Sequence, residues 1–399
     1  MIRRQIITLL VTCLLVVGAG PGIAQATSFV PVMEWSTSAL DADEGPTVAP
    51  PAPSATNPLL DALAFAPRGT YSFDFTDWTA LKALHDGAGL TSESPLEERQ
   101  RLLLDIATVE ASASGFGLDR LATWPELWGW DNTDLAWEAT PWDPLSEAAR
   151  VLRFRDDWDA GPFMERLEAL GYSRTEKRSG TLFSGPPDFM PGPDTEAVLD
   201  ADELLLTAGP HSVAISKDDR TVAIREGDRA DELLRIAARA DPAEIAASPF
   251  GRAAVALGRP VAATIVDGEA FCSSTGLTEL DYPEEMTALA RSVGPLHAYE
   301  ALSMGYERAG PDEPVMGRYA FAYKRAKQAQ ADLAARRTLI DQGYSPRHGQ
   351  RYRDAAFTLA HGSADGRELV FDVVPLYDNP KVFHDLFIGR SLSFASCGS

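Results

Sequence analysis

The chain has 399 residues and is 45% hydrophobic, which is room for two or three packed units of ordinary globular composition. Acidic residues outnumber basic ones 58 to 36, for a formal net charge of -22. That much negative charge repels phosphate backbones and anionic lipid, so it argues against nucleic-acid and membrane-surface partners and favours cationic ones.

The N-terminus reads as an export signal. Arg3-Arg4 precede an apolar run from Ile6 to Val17, which Gly18, Gly20 and Pro21 break. The run is short of the roughly 20 residues of a spanning helix, and Ala24-Gln25-Ala26 fits the small-x-small cleavage rule. Residues 1–26 are therefore expected to be a signal peptide, with a mature chain starting at Thr27, secreted or otherwise extracytoplasmic, soluble and without a transmembrane segment. Cys13 follows Thr12 inside the apolar run and does not make a lipobox.

Residues 27–65 are rich in Ala, Ser, Thr and Pro, including Pro50-Pro51-Ala52-Pro53, and are expected to form a disordered tether. The acids of Asp41-Ala42-Asp43-Glu44-Gly45 alternate like a calcium loop, but the later ligands of such a loop are missing.

From Ala66 onward the patterning is that of a folded chain. Tyr71-Ser72-Phe73-Asp74-Phe75 alternates as a half-buried strand does, and Asp77 is placed to cap a helix opening at Trp78. Leu102, Leu103, Ile106 and Val109 make a helical apolar stripe over Pro95–Ala111. Five of the eight tryptophans fall between Trp124 and Trp142. Trp128, Trp130 and Trp142 are the candidate ligand-stacking residues, set against the commoner use of indoles as core.

Strands are expected at 136–140 and 151–155, a helix at 160–170 closed by Gly171, a hairpin at 172–184 and further strands at 203–207 and 211–216. Pro186, Pro187, Pro191 and Pro193 mark a loop between them. A helix at 229–240 and an apolar stretch at 245–257 follow. In the remainder, strands are expected at 260–266, 296–306 and 316–324, and helices at 283–293 and 325–342. A hairpin at 355–374 and a closing strand at 391–396 complete the chain.

One series occurs twice. Ala136-Trp137-Glu138-Ala139, a strand through Phe154, a helix and Gly171-Tyr172-Ser173 are matched by Ala298-Tyr299-Glu300-Ala301, a strand through Phe321, a helix and Gly343-Tyr344-Ser345. The expectation is an internal duplication of a strand-helix-hairpin unit, residues 66–258 and 259–399. The fold class is α+β, with mostly antiparallel sheets of ferredoxin-like character and helices packed on one face. Cys272 and Cys397, the two cysteines left after the leader, are expected to pair in an oxidising compartment and to close the second unit.

Motifs of known chemistry are absent from the sequence. It has no GxSxG, HExxH or P-loop, and no GxGxxG after a strand, so no cofactor is expected. Its six histidines show no metal-ligand spacing. The layout of leader, tether and duplicated domain resembles that of many bacterial exported proteins. Two functional readings follow. The first is a non-enzymatic binding or interaction protein with a cationic or carbohydrate ligand. The second is a glycosidase-like hydrolase in which Glu138 and Glu300 converge as acid and base, His297 serves as a further base, and the tryptophans line subsites.

Overall fold

The computed structural model describes residues 57–109, 124–142, 149–185, 211–226, 229–274, 284–310, 313–345 and 349–397. The leader, the tether before Asn57, the strand expected at 203–207 and the proline loop lie outside the described residues. The statements below concern the compact unit that includes Asn57 onward.

The first half opens with α1 (Pro58–Leu63), β1 (Ser72–Thr76), α2 (Trp78–Leu84), α3 (Leu96–Val109) and α4 (Trp124–Trp128). It continues through β2 (Leu135–Trp142), β3 (Arg150–Phe154), α5 (Gly161–Ala169), β4 (Ser173–Glu176), β5 (Gly180–Ser184), β6 (His211–Ser216) and β7 (Thr221–Glu226). Three helices, α6 (Ala230–Ala237), α7 (Pro242–Ala247) and α8 (Pro249–Leu257), lead to the second half. That half contains β8 (Ala262–Asp267), α9 (Gly268–Ser274), α10 (Glu284–Val293), β9 (Ala301–Glu307), β10 (Met316–Ala322) and α11 (Ala326–Gln342). A short ribbon of β11 (Tyr344–Ser345) and β12 (Gln350–Arg351), α12 (Tyr352–Ala355), β13 (Phe357–Asp365), β14 (Glu368–Pro375) and α13 (Lys381–Ile388) complete it.

The class is mixed α+β around a 12-stranded sheet, in the order β13-β14-β10-β9-β8-β1-β2-β3-β7-β6-β5-β4. Its strand pairs are antiparallel. Two sheets were one reading of the sequence. Instead β1 and β8, the first strands of the two halves, pair through Phe73↔Ile265 and Asp74↔Thr264 and fuse them.

Helices cover both faces of this sheet, not one as expected. The reason is the period-2 alternation of strand side chains. On one face, Leu152, Phe154, Tyr319, Phe321 and Phe371 pack under Trp78, Leu102, Phe163, Leu339 and Phe383 of the covering helices. On the other, Ala139, Ala223, Ala263, Ala301 and Ala320 pack against α1, α6 and α8 through Leu59, Leu233 and Ala253. Small side chains let a helix come close: the Ser303 hydroxyl donates to the Ala253 carbonyl of α8 at 3.2 Å.

Several local expectations are corrected. The fold begins before Ala66: Asn57 caps α1, and Leu59, Ala62 and Leu63 are buried, so this end of the tether is core. Asp77 does cap α2, accepting from Ala80 N at 2.9 Å. Gly171 has φ 87, as an αL helix end requires, whereas Gly343 has φ -75. Gly343 is glycine for a different reason, because a Cβ there meets the Leu339 carbonyl.

Cys272 lies on α9, not on a strand, and faces Cys397 with a Cα separation of 5.4 Å, within disulfide range. The tail at 391–396 is not a strand but a turn of 3₁₀ helix at Ser393–Ala395. The Tyr352 hydroxyl, which donates to the Ser391 carbonyl and accepts from Ser393 N, and the Tyr299 hydroxyl, which donates to the Ala395 carbonyl, help hold it, as does Arg336 of α11, fully buried. Its guanidinium donates to the carbonyls of Phe394, Ser396 and His297, to the Tyr323 hydroxyl and to Asp332, and lies 4.7 Å from the Phe321 ring centroid. All its donors are used, so the charge is buried but compensated.

Replacing Arg336 by Met leaves Asp332 and three carbonyls without their cation. The expected loss is about 3–5 kcal/mol of unfolding free energy in a urea titration, the range for a broken buried ion pair. A loss below about 1 kcal/mol would mean that the tail is held mainly by the Tyr299 and Tyr352 hydroxyls, packing and the disulfide.

Candidate functional site

The central strands of the sheet carry polar residues on the aromatic face. β1 alternates, so Phe73 and Phe75 enter the alanine-side core, and Ser72, Asp74 and Thr76 take the opposite face. Thr264 faces Asp74 from β8, and Glu138 faces Thr76 from β2. A polar seam therefore runs between the two sets of aromatic core residues.

At one end the seam opens into a cleft of about 290 Å³. Its walls are aromatic: Tyr71 and Trp142 from the first half, Phe271 of α9 and Phe387 of α13 from the second. Asp74 and Thr264 lie at its floor. Asp74 takes a hydrogen bond from the Trp142 indole N–H at 2.8 Å and another from the Thr264 hydroxyl at 2.7 Å. Two strands thus fix one carboxylate, and the carboxylate fixes the indole. Asp267 also lines the cleft and accepts from Ala270 N at the start of α9; exposed Arg390 stands at the rim.

Glu138 lies along the seam from this cleft, beneath α2. It is 2% exposed, and neither carboxylate oxygen has a hydrogen-bond partner among the described residues. Loss of water raises its pKa to about 7. Arg150 opposes that rise, and the negative charge of Asp74 adds to it. The Trp78 indole N–H also favours the carboxylate, from outside good hydrogen-bond geometry. Burial in turn lowers the pKa of Arg150, and Glu138 holds it up.

Glu138 and Glu300 are not brought together. The register aligns Glu138 with Thr76, Ala262 and Tyr306 in successive strands. Glu300 precedes the other end of β9, roughly 20 Å along the strand from Tyr306 and three strand spacings from β2. Glu300 is bound instead by Arg252 of α8 at 2.6 Å, and Arg252 also holds Glu368 at 2.9 Å. A glycosidase pair needs carboxyl groups ~5–10 Å apart.

His297 also has a structural partner. Its Nδ1 is 2.6 Å from Asp332 Oδ1, and its backbone N–H donates to Oδ2 at 2.9 Å. The dyad belongs to the Arg336 network, and no described hydroxyl or thiol is hydrogen-bonded to the other ring nitrogen.

Trp128 and Trp130 are core, not ligand platforms. Both are fully buried, and both ring systems pack edge-on to Phe163. Helix α4 carries Trp128 under α5, Trp130 follows that helix, and Trp137 is on strand β2. Trp142 is 36% exposed because it ends β2 beyond the cover of the helices. The sequence pointed to Trp142 but missed Asp74, Thr264, Phe271 and Phe387. Alternation marked Asp74 as polar-facing; the signal for the rest was absent, because two halves of the chain contribute them. Among the described residues no group of three or more His, Cys, Asp or Glu is arranged to hold a metal ion. No described helix is long and apolar enough to cross a membrane.

No family model matches the chain, and no curated protein matches it. A solved structure, crystal form I of the treponemal protein TP0453, aligns with 82% of this chain and 97% of its own at 9% identity. Its TM-score of 0.32 is too low to carry the fold or the function across.

The buried carboxyl of Glu138 makes stability depend on pH. Its pKa is raised from 4.5 to about 7, so the folded state retains a proton that the unfolded state releases. The contribution is complete below pH 4.5 and is lost as pH rises through about 7. Glu138→Gln is expected to abolish this slope. It raises stability at alkaline pH by at most about 3 kcal/mol and leaves acidic stability unchanged. Denaturant titrations across the window decide it, and identical slopes in both proteins would refute the assignment.

Proposed function

We propose that the protein is an exported, non-enzymatic binding protein, and that its ligand is a small organic amine held in the central cleft. One observation carries the reading. A cleft of about 290 Å³ has aromatic walls drawn from both halves of the chain and two carboxylates, Asp74 and Asp267. Aromatic faces attract an ammonium group through their quadrupoles, and a carboxylate in a recessed site does so by charge. The volume suits a small molecule, at the lower end of ordinary ligand sites. Arg390 at the rim fits an acidic or polar substituent on the same ligand. The export signal, Ile6–Val17 followed by Ala24-Gln25-Ala26, and the paired Cys272 and Cys397 support a place outside the cytoplasm.

The unit is also proposed to be a duplication, though not in the register read from the sequence. Outward from the β1–β8 pair, one side runs β1, β2, β3, β7, β6 and the other β8, β9, β10, β14, β13. A helix follows the third strand in each half, of nine residues in the first and 17 in the second. With the twofold between Asp74 and Thr264, the middle pair of their ladder, Thr76 corresponds to Val266. Their partners Glu138 and Leu302 then correspond, two residues away from the match of Glu138 with Glu300. The cleft on this view is a site formed where two copies of one unit meet, and the copies have diverged there.

A panel of small amines and amino sugars, followed by thermal shift and by tryptophan fluorescence, tests the ligand class. At a concentration of about 100 times Kd a true ligand adds about 2.7 kcal/mol of stability. Trp142→Ala is expected to weaken that ligand about tenfold or more, the value of a well-placed aromatic contact to a cation. Absence of any shift across the panel, or an unchanged affinity in the variant, rules the cleft out as an amine site.

A further inference from the structure

On the opposite, alanine-rich side of the sheet lies a second and larger concavity. It occupies about 970 Å³ between the segment that follows α1, helix α6 and the α7–α8 connection. Four arginines line it: Arg68, Arg225, Arg229 and Arg239. That is a concentration of positive charge in a chain whose formal net charge is -22.

Three acids share the groove with the four arginines, so its formal balance is one positive charge. Glu232 is bound by Arg225 at 3.3 Å. Asp241 caps α7, accepting from Ala243 N at 2.8 Å. Glu244 is left as the third lining acid. Arg225 is itself 5% exposed, held on β7 with its stem in the sheet. Arg68, Arg229 and Arg239 are exposed, and they make no ion pair with a described residue.

Scattered surface arginines need no explanation, but these converge from four separate positions of the fold on one hollow. We infer that this groove binds a phosphate-bearing small molecule. Guanidinium forks match phosphate oxygens two at a time, and several forks around one hollow suit a multiply charged group better than a single carboxylate. Ile236, Ile245 and Phe250 give the rest of the molecule an apolar wall. The volume lies at the upper end of small-molecule sites. The site is independent of the central cleft and stands whether or not that cleft binds an amine.

The test is calorimetric titration of the full chain with inorganic pyrophosphate, at low and at physiological salt. Saturable binding is expected, weakening as salt rises because the ligand replaces screened counterions. The double variant R68A/R239A is expected to lose about tenfold or more in affinity, because it removes two of the guanidinium forks that would hold the anion. Arg174→Ala, on exposed edge strand β4, serves as the control and is expected to leave affinity unchanged. Flotation with phosphatidylglycerol vesicles separates the two sources of such a ligand. Binding that the double variant loses identifies a lipid headgroup, and pyrophosphate binding without vesicle binding identifies a soluble ester. No binding of either probe overturns the inference. So does an equal loss in the control, which would mark diffuse electrostatics and not a site.

Discussion

The ladder between β1 and β8 is the contact on which the rest of the architecture depends. It joins strands separated by about half the chain, and the hydrogen bond from Thr264 to Asp74 crosses 190 residues of sequence. Without it, each half presents an edge strand with unpaired backbone groups at its most buried side, a costly arrangement. With it, two open sheets become one, and the free edges move to β13 and to the short, charged β4. A contact of such sequence separation forms only after much loop-closure entropy has been spent, so each half must hold much of its own structure first.

The same junction creates the cleft. Each half covers its own strands with its own helices: α2 to α5 on one side, α9 to α13 on the other. At the junction the side chains on this face are Ser72, Asp74, Thr76, Glu138 and Thr264 instead of the leucines and aromatics found to either side. A polar seam in the middle of a 12-stranded sheet weakens the core locally. It also places a carboxylate, oriented by two hydrogen bonds, at a site walled by rings from both halves. Glu138 shows the cost of extending such a seam under a helix. Its carboxyl has no hydrogen-bond partner among the described residues, and it accepts neutrality up to about pH 7 in place of one.

Much of the element pattern was legible because local chemistry determines it. The alternation around Phe73, the cap at Asp77, the αL end at Gly171 and the long helix before Gly343 follow from side-chain spacing and backbone sterics. α1 was not legible, since a short Pro-led helix inside low-complexity sequence shows its purpose only when Leu59 and Leu63 meet α8. β7 was missed as well, although Asp219 with φ 53 makes the tight turn that leads into it. Which face a residue takes needs its strand partners. Trp128 and Trp142 look alike in sequence, yet one packs on Phe163 and the other ends a strand past the last covering helix. The match of Glu138 with Glu300 failed for a related reason. Similar tetrapeptides fell in strands whose register only the β1–β8 pairing determines, and in antiparallel strands an error of two residues preserves the face while moving the row by about 7 Å.

Net charge was the weakest guide to the sites themselves. Summed over the chain it argues for cationic partners. Field strength at a surface, however, depends on which charges are close and which are already engaged. Three of the chain's acids, Glu232, Asp241 and Glu244, lie in the arginine groove itself. Arg68, Arg225, Arg229 and Arg239 gather where three helices and a strand end meet. The hollow on the aromatic face therefore has two carboxylates and Arg390, and the one on the alanine face has four arginines among three carboxylates.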